Sequence, residues 1–509
     1  MSGRARANHT GFPDVTVRLH AHACIEIEHR DFRLLIDPWL TGPAFLGAWT
    51  QFPPPRVHAS ELSPDAILIT HEHSDHFHEP TLDQFDRSTP VFVPDFPNQR
   101  MPRVLDEMGF TDVRPLAFGA LAALDEHFSV TAYEPETIWN DAIYLIEVAG
   151  FRMLNLNDAG INRRIEPLVC PVDLVIAHSD ESSTGAFDEI VELYGASHVL
   201  PCGSFYAWWD PEQRERLSTT TSLPVCHGLR QCSESKPVLA SALAEPVAHK
   251  SKLKQEGTAR MARLLPLLPG SSWDAASDEV THARNAIEPT IDAAVAHCDR
   301  TFDADLVDIC RQPARMISCD ELSNYFLRLN HTPEAVFCED MTAWVVIHSD
   351  DDKDVKFELG LIVSDGRIGI TSGQPPHPGL TMTLPLWAVS KVVLEDLSWD
   401  ELRIGRWGHF DPADTPRHVA FWRMLQAPYF HKRAVLSTYN GGQISHATVM
   451  VNIVEQSGPQ AERILRRYGL HDDATLRSSH EPLAAAAAEH GLDDDAIERL
   501  VGELRRACA

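Results

Sequence analysis

The chain has 509 residues, 44% of them hydrophobic, so it can bury more than one core and we expect two principal domains. Its 44 Lys and Arg residues against 73 Asp and Glu residues give a formal net charge of −29. Such a negative field repels nucleic-acid phosphates and anionic lipid surfaces. We therefore expect no nucleic acid and no membrane among the partners.

The sequence has no apolar run of membrane-spanning length and no apolar signal core near its start, which predicts a cytoplasmic protein. Its ten cysteines have no repeated spacing, which indicates reduced, mostly buried thiols rather than a disulfide framework. C-x-H followed by C-x-x-H does not occur in it, so a Rieske cluster is not encoded.

The first half of the chain alternates short β-like runs with polar or helical stretches, a pattern typical of an α/β layered protein. Three runs between residues 15 and 36 predict a strand meander that ends at Asp37. Residues 66–70 then predict an apolar strand that delivers His71 at its C-terminal end. The motif that follows therefore lies on a loop between a strand and a helix.

The pattern changes at residues 245–275, where a polar and basic connection predicts a domain boundary. We predict a metal-binding domain at residues 10–245 and an α+β accessory or substrate domain at residues 275–509. The second domain contains predicted helices and strands but no strong chemical motif.

Residues 71–76 have the pattern H-x-H-x-D-H, which allows one tight loop to supply ligands to two metal ions. We predict that His71 and His73 bind one ion and that Asp75 and His76 bind the other. The alternative is a histidine-rich surface loop. The apolar strand that leads into the motif argues against that alternative.

Two further carboxylates fit a dinuclear site. Asp158 follows the predicted strand at residues 152–156 and is the best candidate for a bridging ligand, although Asp-x-Gly is also an ordinary turn. Asp37 ends an earlier strand. We predict that it lies beneath the metals and orients a ligand imidazole through its second ring nitrogen, unless it simply ends the strand.

Together with residues 37–45, 140–142 and 154–158, the motif resembles the metallo-β-lactamase-like part of the CMP-N-acetylneuraminate hydroxylase family. The resemblance is specific before residue 160, poor after residue 210, and weakly present again at residues 397–405. It implies an α/β protein, a metallo-β-lactamase αββα sandwich with an additional C-terminal α+β domain. In that family a Rieske domain feeds electrons to the oxygenase centre, so its absence here implies an external electron donor such as a ferredoxin or a reductase.

Glu134 adds a second resemblance, by ligand pattern, to di-iron β-hydroxylases of peptide antibiotic assembly. These enzymes use this fold and place Glu where its hydrolases have His. Hard oxygen donors stabilise higher iron oxidation states better than imidazole does, so Glu134 favours iron over zinc. The alternative is a solvent-exposed Glu-Pro-Glu turn.

The identity of the last metal ligand stays open. Hydrolases of this fold close the second metal with a histidine after a late strand, and the matching position here is Cys202. His178 and His227 are the other candidates, and either could be a core histidine. We favour His227 slightly.

The leading hypothesis is a dinuclear-iron, O2-dependent monooxygenase, either a hydroxylase or an N-oxygenase, acting on a small or carrier-bound biosynthetic metabolite. Asp75 and Glu134 are its predicted catalytic residues. The predicted ligands of the two iron ions are His71, His73, Asp75, His76, Glu134, Asp158 and His227. The alternative is a zinc- or manganese-dependent hydrolase of phosphodiester, lactone or amide bonds, in which two such ions hold a hydroxide and Asp75 assists proton transfer. A third hypothesis is a metal-binding protein without activity, whose second half mediates protein contacts.

Overall fold

A computed structural model of the chain describes residues 11–136, 140–178, 186–211, 248–249, 262–265, 267–284, 290–332, 334–335, 338–349, 354–412, 418–431, 453, 461, 464–470 and 483–508. The chain divides into two compact units. The first comprises Met1–Asp95 and Met101–Ala304, and the second comprises Phe96–Arg100 and Asp305–Ala509. Among the described residues, no helix combines the length and the apolar character needed to cross a membrane.

The strands of the first unit are β1 (Thr16–Ala21), β2 (Cys24–His29), β3 (Phe32–Ile36), β4 (Trp49–Gln51), β5 (Ala66–Leu68), β6 (Val91–Pro94), β7 (Val113–Leu116), β8 (Leu121–Ala123), β9 (Phe128–Tyr133), β10 (Ile143–Val148), β11 (Phe151–Asn157), β12 (Leu174–His178), β13 (His198–Cys202), β14 (Tyr206–Trp208), β15 (Ala248–His249), β16 (Ala262–Leu264), β17 (Ser271–Asp274) and β18 (Glu279–Thr281). One eight-stranded sheet has the order β18-β17-β1-β2-β3-β5-β6-β7, and a second has the order β15-β16-β13-β12-β11-β10-β9-β8. β14 and β4 form a separate two-stranded sheet.

Among the described residues of this unit, five α-helices lie between or after the strands. They are α1 (Glu79–Leu82), α2 (Arg100–Glu107), α3 (Glu166–Val169), α4 (Ala186–Tyr194) and α5 (Ile291–Thr301). The N-terminus of α1 follows the histidine motif, and His78 caps it by accepting a hydrogen bond from the Thr81 backbone N–H.

The sequence explains why these strands form and how they stack. In β1, Val17 and Leu19 are fully buried while Arg18 between them is partly exposed, which is the alternation of a strand with one face on the core. Strands β11, β12 and β13 run parallel, and nearly all of their residues are buried. The Tyr144 hydroxyl of β10 donates to the Ile69 carbonyl just after β5, at 2.8 Å, so the two sheets face one another across the core.

The strands β17 and β18 pair at the edge of the first sheet, where β17 lies antiparallel to β1. The first compact unit therefore extends to Ala304, beyond the boundary at residues 245–275 that the change of pattern suggested. The physical reason is that the chain returns to complete an open sheet edge, a long-range pairing that local composition does not record.

The second unit contains a five-stranded sheet of order β21-β20-β19-β22-β23. Its strands are β19 (Met341–His348), β20 (Val355–Ser364), β21 (Arg367–Ser372), β22 (Leu380–Pro385) and β23 (His409–Asp411). Its helices are α6 (Ala304–Arg311), α7 (Cys319–Arg328), α8 (Leu386–Glu395), α9 (Asp400–Arg403), α10 (Val419–His431), α11 (Leu483–Glu489) and α12 (Asp494–Cys508). The predicted α+β character of this half is present.

Candidate metal centre

The histidine motif lies on a tight loop after β5. All three residues of that strand are buried, and the Ile69 N–H donates to the Phe92 carbonyl of the neighbouring strand, which fixes the start of the loop. The backbone N–H groups of His76 and Phe77 both donate to the His73 carbonyl, at 3.0 and 2.8 Å. The turn brings the side chains of the motif to the carboxyl ends of the strands.

One group of possible metal ligands consists of His71, His73 and Asp158. His71 Nε2 lies 2.9 Å from His73 Nδ1 and 3.8 Å from Asp158 Oδ2. Two ligands of one ion are on the order of 3 Å apart when each bond is about 2.0–2.2 Å long. These donors therefore have the spacing that a shared metal ion requires.

A second group consists of His22, Asp75 and His76, all buried. Asp75 Oδ2 lies 3.0 Å from His22 Nε2 and 3.4 Å from His76 Nε2. Asp158 Oδ2 is 3.7 Å from His76 Nε2, almost the same distance as from His71 Nε2. Asp158 thus lies between the two groups, where a bridging carboxylate would have to be.

A buried hydrogen-bond network contacts His71 and His76 at their Nδ1 atoms. Asp37 Oδ2 lies 3.1 Å from His76 Nδ1 and accepts the Thr70 hydroxyl at 2.7 Å. The same hydroxyl is 2.9 Å from His71 Nδ1, and the Asn157 side-chain amide donates to both Thr70 Oγ1 and Asp37 Oδ2. The predicted contact of Asp37 with an imidazole of the motif is confirmed. Such partners leave Nε2 of both histidines directed at a metal.

The charges of the centre are strongly coupled. Burial lowers the pKa of His71 well below its ordinary value, and His76 and His73 lower it further. Burial also disfavours a charge on His76, but Asp75, Asp158 and Asp37 outweigh that effect and hold its pKa well above the ordinary value.

Asp75 and His22 complete this charge pattern. Burial would raise the pKa of Asp75, yet His76 and His22 hold it well below the ordinary value. Burial lowers the pKa of His22, against the opposing effect of Asp75. The deepest part of the centre therefore contains a carboxylate stabilised by imidazoles, an arrangement suited to a cation.

Buried polar atoms provide a test of whether a metal fits. Asp75 Oδ1 and His76 Nε2 are buried and make no hydrogen bond to any described residue. A buried polar atom without a partner costs free energy, and a coordinated ion removes that cost. The donor set of imidazole and carboxylate suits iron, zinc or manganese. The residues present therefore fit a dinuclear metal site.

The structure brings most of the sequence-predicted ligands together. Five of them meet in the two groups: His71, His73, Asp75, His76 and Asp158. Glu134 is exposed, belongs to neither group, and accepts a hydrogen bond from the Asn162 side chain through its backbone carbonyl. Its assignment as a ligand stays a prediction. His227 lies outside the described residues.

The other two candidates for the last ligand lie at the ends of adjacent strands. His178 and Cys202 are direct neighbours in the parallel register of β12 and β13. Cys202 is buried, and burial together with the charges of Asp158 and Asp37 raises the pKa of its thiol well above the ordinary value. His178 Nε2 lies 4.0 Å from Asp158 Oδ1.

Sequence reasoning missed three residues of the centre. His22 follows β1, a position where a left-handed backbone (φ 33°) turns its imidazole toward Asp75. Asn157 belongs to the supporting network. Asp141 is buried 3.5 Å from His71 Nδ1, and burial and the charge of Asp158 raise its pKa well above the ordinary value. For His22, the sequence offered one signal, the alternation His20-Ala21-His22 at the end of a strand.

Aromatic rings line the side of the centre near His22. The Trp49 and Tyr206 rings of β4 and β14 are stacked with centroids 3.5 Å apart. The His22 ring lies 5.8 Å from Tyr206 and 5.3 Å from Trp39. The small two-stranded sheet therefore forms an aromatic wall beside the second ligand group.

Comparison with known proteins agrees with this architecture. Residues 16–196 match the family model described as "Beta-lactamase superfamily domain". The chain thus carries a domain of the metallo-β-lactamase fold together with an additional C-terminal domain, and the predicted fold class is confirmed.

Relatives found by sequence include hydroxylases. The chain is 31% identical over 155 residues to cytidine monophosphate-N-acetylneuraminic acid hydroxylase of Danio rerio, covering 28% of this chain and 26% of that protein. It is 32% identical over 158 residues to the Mus musculus hydroxylase of the same name, covering 29% and 27%. The predicted resemblance is therefore confirmed, and the match spans about a quarter of the length of these relatives.

Solved structures that are similar to the chain include CmlA, a diiron β-hydroxylase from Streptomyces venezuelae, with a TM-score of 0.32, 17% identity and coverage of 45% of this chain and 52% of that one. They also include Igni18, a metallo hydrolase from Ignicoccus hospitalis, with a TM-score of 0.31, 16% identity and coverage of 40% and 91%. Similarities with TM-scores this low do not distinguish hydroxylase from hydrolase chemistry.

Proposed function

We propose that the protein is a dinuclear-iron, O2-dependent monooxygenase that hydroxylates or N-oxygenates a small or carrier-bound biosynthetic metabolite. The observation that carries the proposal is the pair of His and carboxylate groups joined by Asp158, in a chain that is 31% identical over 155 residues to a hydroxylase. Two carboxylates lie in these groups, namely Asp75 and Asp158. Oxygen donors favour iron in higher oxidation states, which supports oxidation over hydrolysis.

Each ion would have its own donors. His71 and His73 would hold the first ion, His22, Asp75 and His76 would hold the second, and Asp158 would be shared. Two iron ions bound there supply reductive activation of O2, in which one oxygen atom enters the substrate and the other leaves as water. The two electrons that this stoichiometry needs come from an external donor, such as a ferredoxin or a reductase.

The chain's own residues orient the donors and exclude water. Asp37 keeps His76 in the tautomer that presents Nε2, and Thr70 does the same for His71. The side chains of His22, Asp75 and His76 are at most 5% exposed, so bulk water does not reach the second group. Asp158 is 28% exposed, which places the open face of the centre on its side. The substrate therefore approaches from the side of Asp158.

The experiment is metal analysis of the full chain after anaerobic purification, with Mössbauer spectra and O2 uptake after chemical reduction. We expect two iron ions per chain and a spectrum that changes on reduction and on exposure to O2. Two zinc or manganese ions with no oxygen response would instead favour the metallo-hydrolase. A metal content near zero would contradict both.

A pair of variants makes the test specific to the site. Asp75→Asn replaces a buried, negatively charged donor of the second group with a neutral, weaker one. Asp83→Asn changes an aspartate that is 71% exposed and pairs with Arg87 on the surface. We expect Asp75→Asn to lose about one ion per chain and O2 uptake, and Asp83→Asn to keep both. Equal behaviour of the two variants would place the metals elsewhere.

A further inference from the structure

His178 occupies the open face of the centre at the edge where parallel strands end. It is the last residue of β12, which runs beside β11, and β11 ends at Asn157 directly before Asp158. Its side chain is 20% exposed and that of Asp158 is 28% exposed, whereas the side chain of His76 is fully buried. His178 and Asp158 are therefore neighbours on the accessible side of the ligand groups.

The two oxygens of Asp158 face different partners. Oδ2 faces His71 and His76 at 3.8 and 3.7 Å, while Oδ1 lies 4.0 Å from His178 Nε2. An ion with bonds of about 2.0–2.2 Å to each donor spans a separation of this size. Among the described residues, the first group offers three protein donors, Asp158 included, so a fourth donor has a place to bind there.

Gly203 keeps the His178 imidazole in this position. Its backbone is left-handed (φ +74°), and a Cβ atom there would lie 2.0 Å from His178 Cδ2 and 2.8 Å from His178 Nε2. Its N–H donates to the carbonyl of His22 at 3.2 Å, so the glycine also connects to the second ligand group. A side chain at position 203 would displace the ring away from Asp158.

We propose that His178 is a further ligand of the dinuclear centre and binds through Nε2 on the open face of that centre. The absence of a side chain at Gly203 leaves the space that the ring needs to stay in this position. The inference rests on the proposed function only in requiring two bound metal ions. It replaces the three open candidates for the last ligand with one, and it makes β12 rather than β13 the source of that ligand.

The test is a titration of the metal-free full chain with Co²⁺, a probe that reports ligand identity without any turnover. His178→Ala removes the donor, and Gly203→Ala displaces it by a different route. Gly119→Ala is the matched control, because Gly119 has nearly the same backbone angle (φ +73°) and nothing within 4 Å of the added Cβ. Proton NMR of the Co²⁺ protein counts the shifted, exchangeable imidazole N–H signals, one for each histidine ligand, whichever ring nitrogen binds the ion.

We expect the wild type and Gly119→Ala to bind two Co²⁺ ions. We expect His178→Ala and Gly203→Ala to bind one of the two ions more than about tenfold more weakly, with one shifted N–H signal missing. Unchanged affinity and an unchanged signal count in His178→Ala would overturn the inference while leaving the proposed function standing. Fewer than two Co²⁺ ions in the wild type would overturn both. If Gly203→Ala does not fold, as judged by its thermal melting curve, His178→Ala decides.

Discussion

Asp37 Oδ2 lies 3.1 Å from Nδ1 of His76, and both side chains are buried. Through the hydroxyl of Thr70 the same carboxylate also reaches His71. One carboxylate therefore orients one histidine from each of the two ligand groups, although it would touch neither metal ion.

The first prediction concerns that carboxylate. Asp37→Asn should weaken metal binding by about 10- to 100-fold, because a neutral amide holds the His76 imidazole less firmly. Asparagine tolerates the left-handed backbone of this residue (φ 44°), so the fold should be retained. Metal titration monitored by isothermal calorimetry measures the effect. Asp365→Asn, at a turn with φ 50°, is the control, and equal affinities of the two variants would contradict the orienting role.

The second prediction separates the hydroxyl of Thr70 from its methyl group. Thr70→Val should lower the free energy of unfolding by about 1–3 kcal/mol, because Asp37 and His71 lose a buried hydrogen-bond partner. Thr70→Ser keeps the hydroxyl and should lose only the contribution of one methyl group, about 0.8 kcal/mol. Urea denaturation of the metal-free chain measures both. A loss in the serine variant as large as in the valine variant would show that packing, not the hydroxyl, matters here.

The third prediction decides the role of Glu134. If it is a ligand, Glu134→Gln should lower the iron content per chain, whereas Glu136→Gln should not. Glu136 lies two residues further along the same loop and accepts a hydrogen bond from the Arg163 backbone N–H at 2.7 Å. Metal analysis of both proteins, purified in parallel, gives the answer. Identical iron content would leave the solvent-exposed turn as the correct interpretation.

The fourth prediction is a pH dependence of stability away from the centre. Burial lowers the pKa of His198, although Asp278 beside it acts in the opposite direction. The unfolded state therefore binds a proton more readily than the folded state, so stability falls as the pH decreases through the ordinary value of 6.5. Between pH 7.5 and pH 5.5, about one unit on either side of that value, His198→Gln should lose less stability than the wild type in urea denaturation. A parallel loss in both would refute this origin.

The fifth prediction concerns the second unit. Asp400 is buried and accepts hydrogen bonds from the side chains of Trp422 (3.0 Å), Gln426 (2.7 Å) and Arg403 (3.1 Å). Asp400→Ala should destabilise this unit by about 2–4 kcal/mol, because buried donors lose their acceptor. Asp400→Asn retains one acceptor oxygen and should cost less. Urea denaturation, monitored by tryptophan fluorescence, measures the destabilisation of both variants. A larger loss in Asp400→Asn than in Asp400→Ala would contradict the prediction.

The sequence by itself determined the local part of the centre. The four predicted ligands of the histidine motif lie within six residues, and an apolar strand leads directly into them, so their proximity follows from chain geometry alone. Asp37 and Asp158 could be predicted for a similar reason, because each is the first carboxylate after a predicted strand. The α/β class followed from the alternation of strands and helices.

Only the tertiary structure decided which distant side chains join them. His22 is about 50 residues before Asp75 in the chain, and strand pairing in the first sheet brings it within 3.0 Å of that carboxylate. The parallel register of β12 with β11 brings the strand end at His178 close to Asp158, and a missing Cβ at Gly203 allows the ring to stay there. Such contacts depend on sheet register and on close approach of backbone, and neither leaves a periodic signal in the sequence.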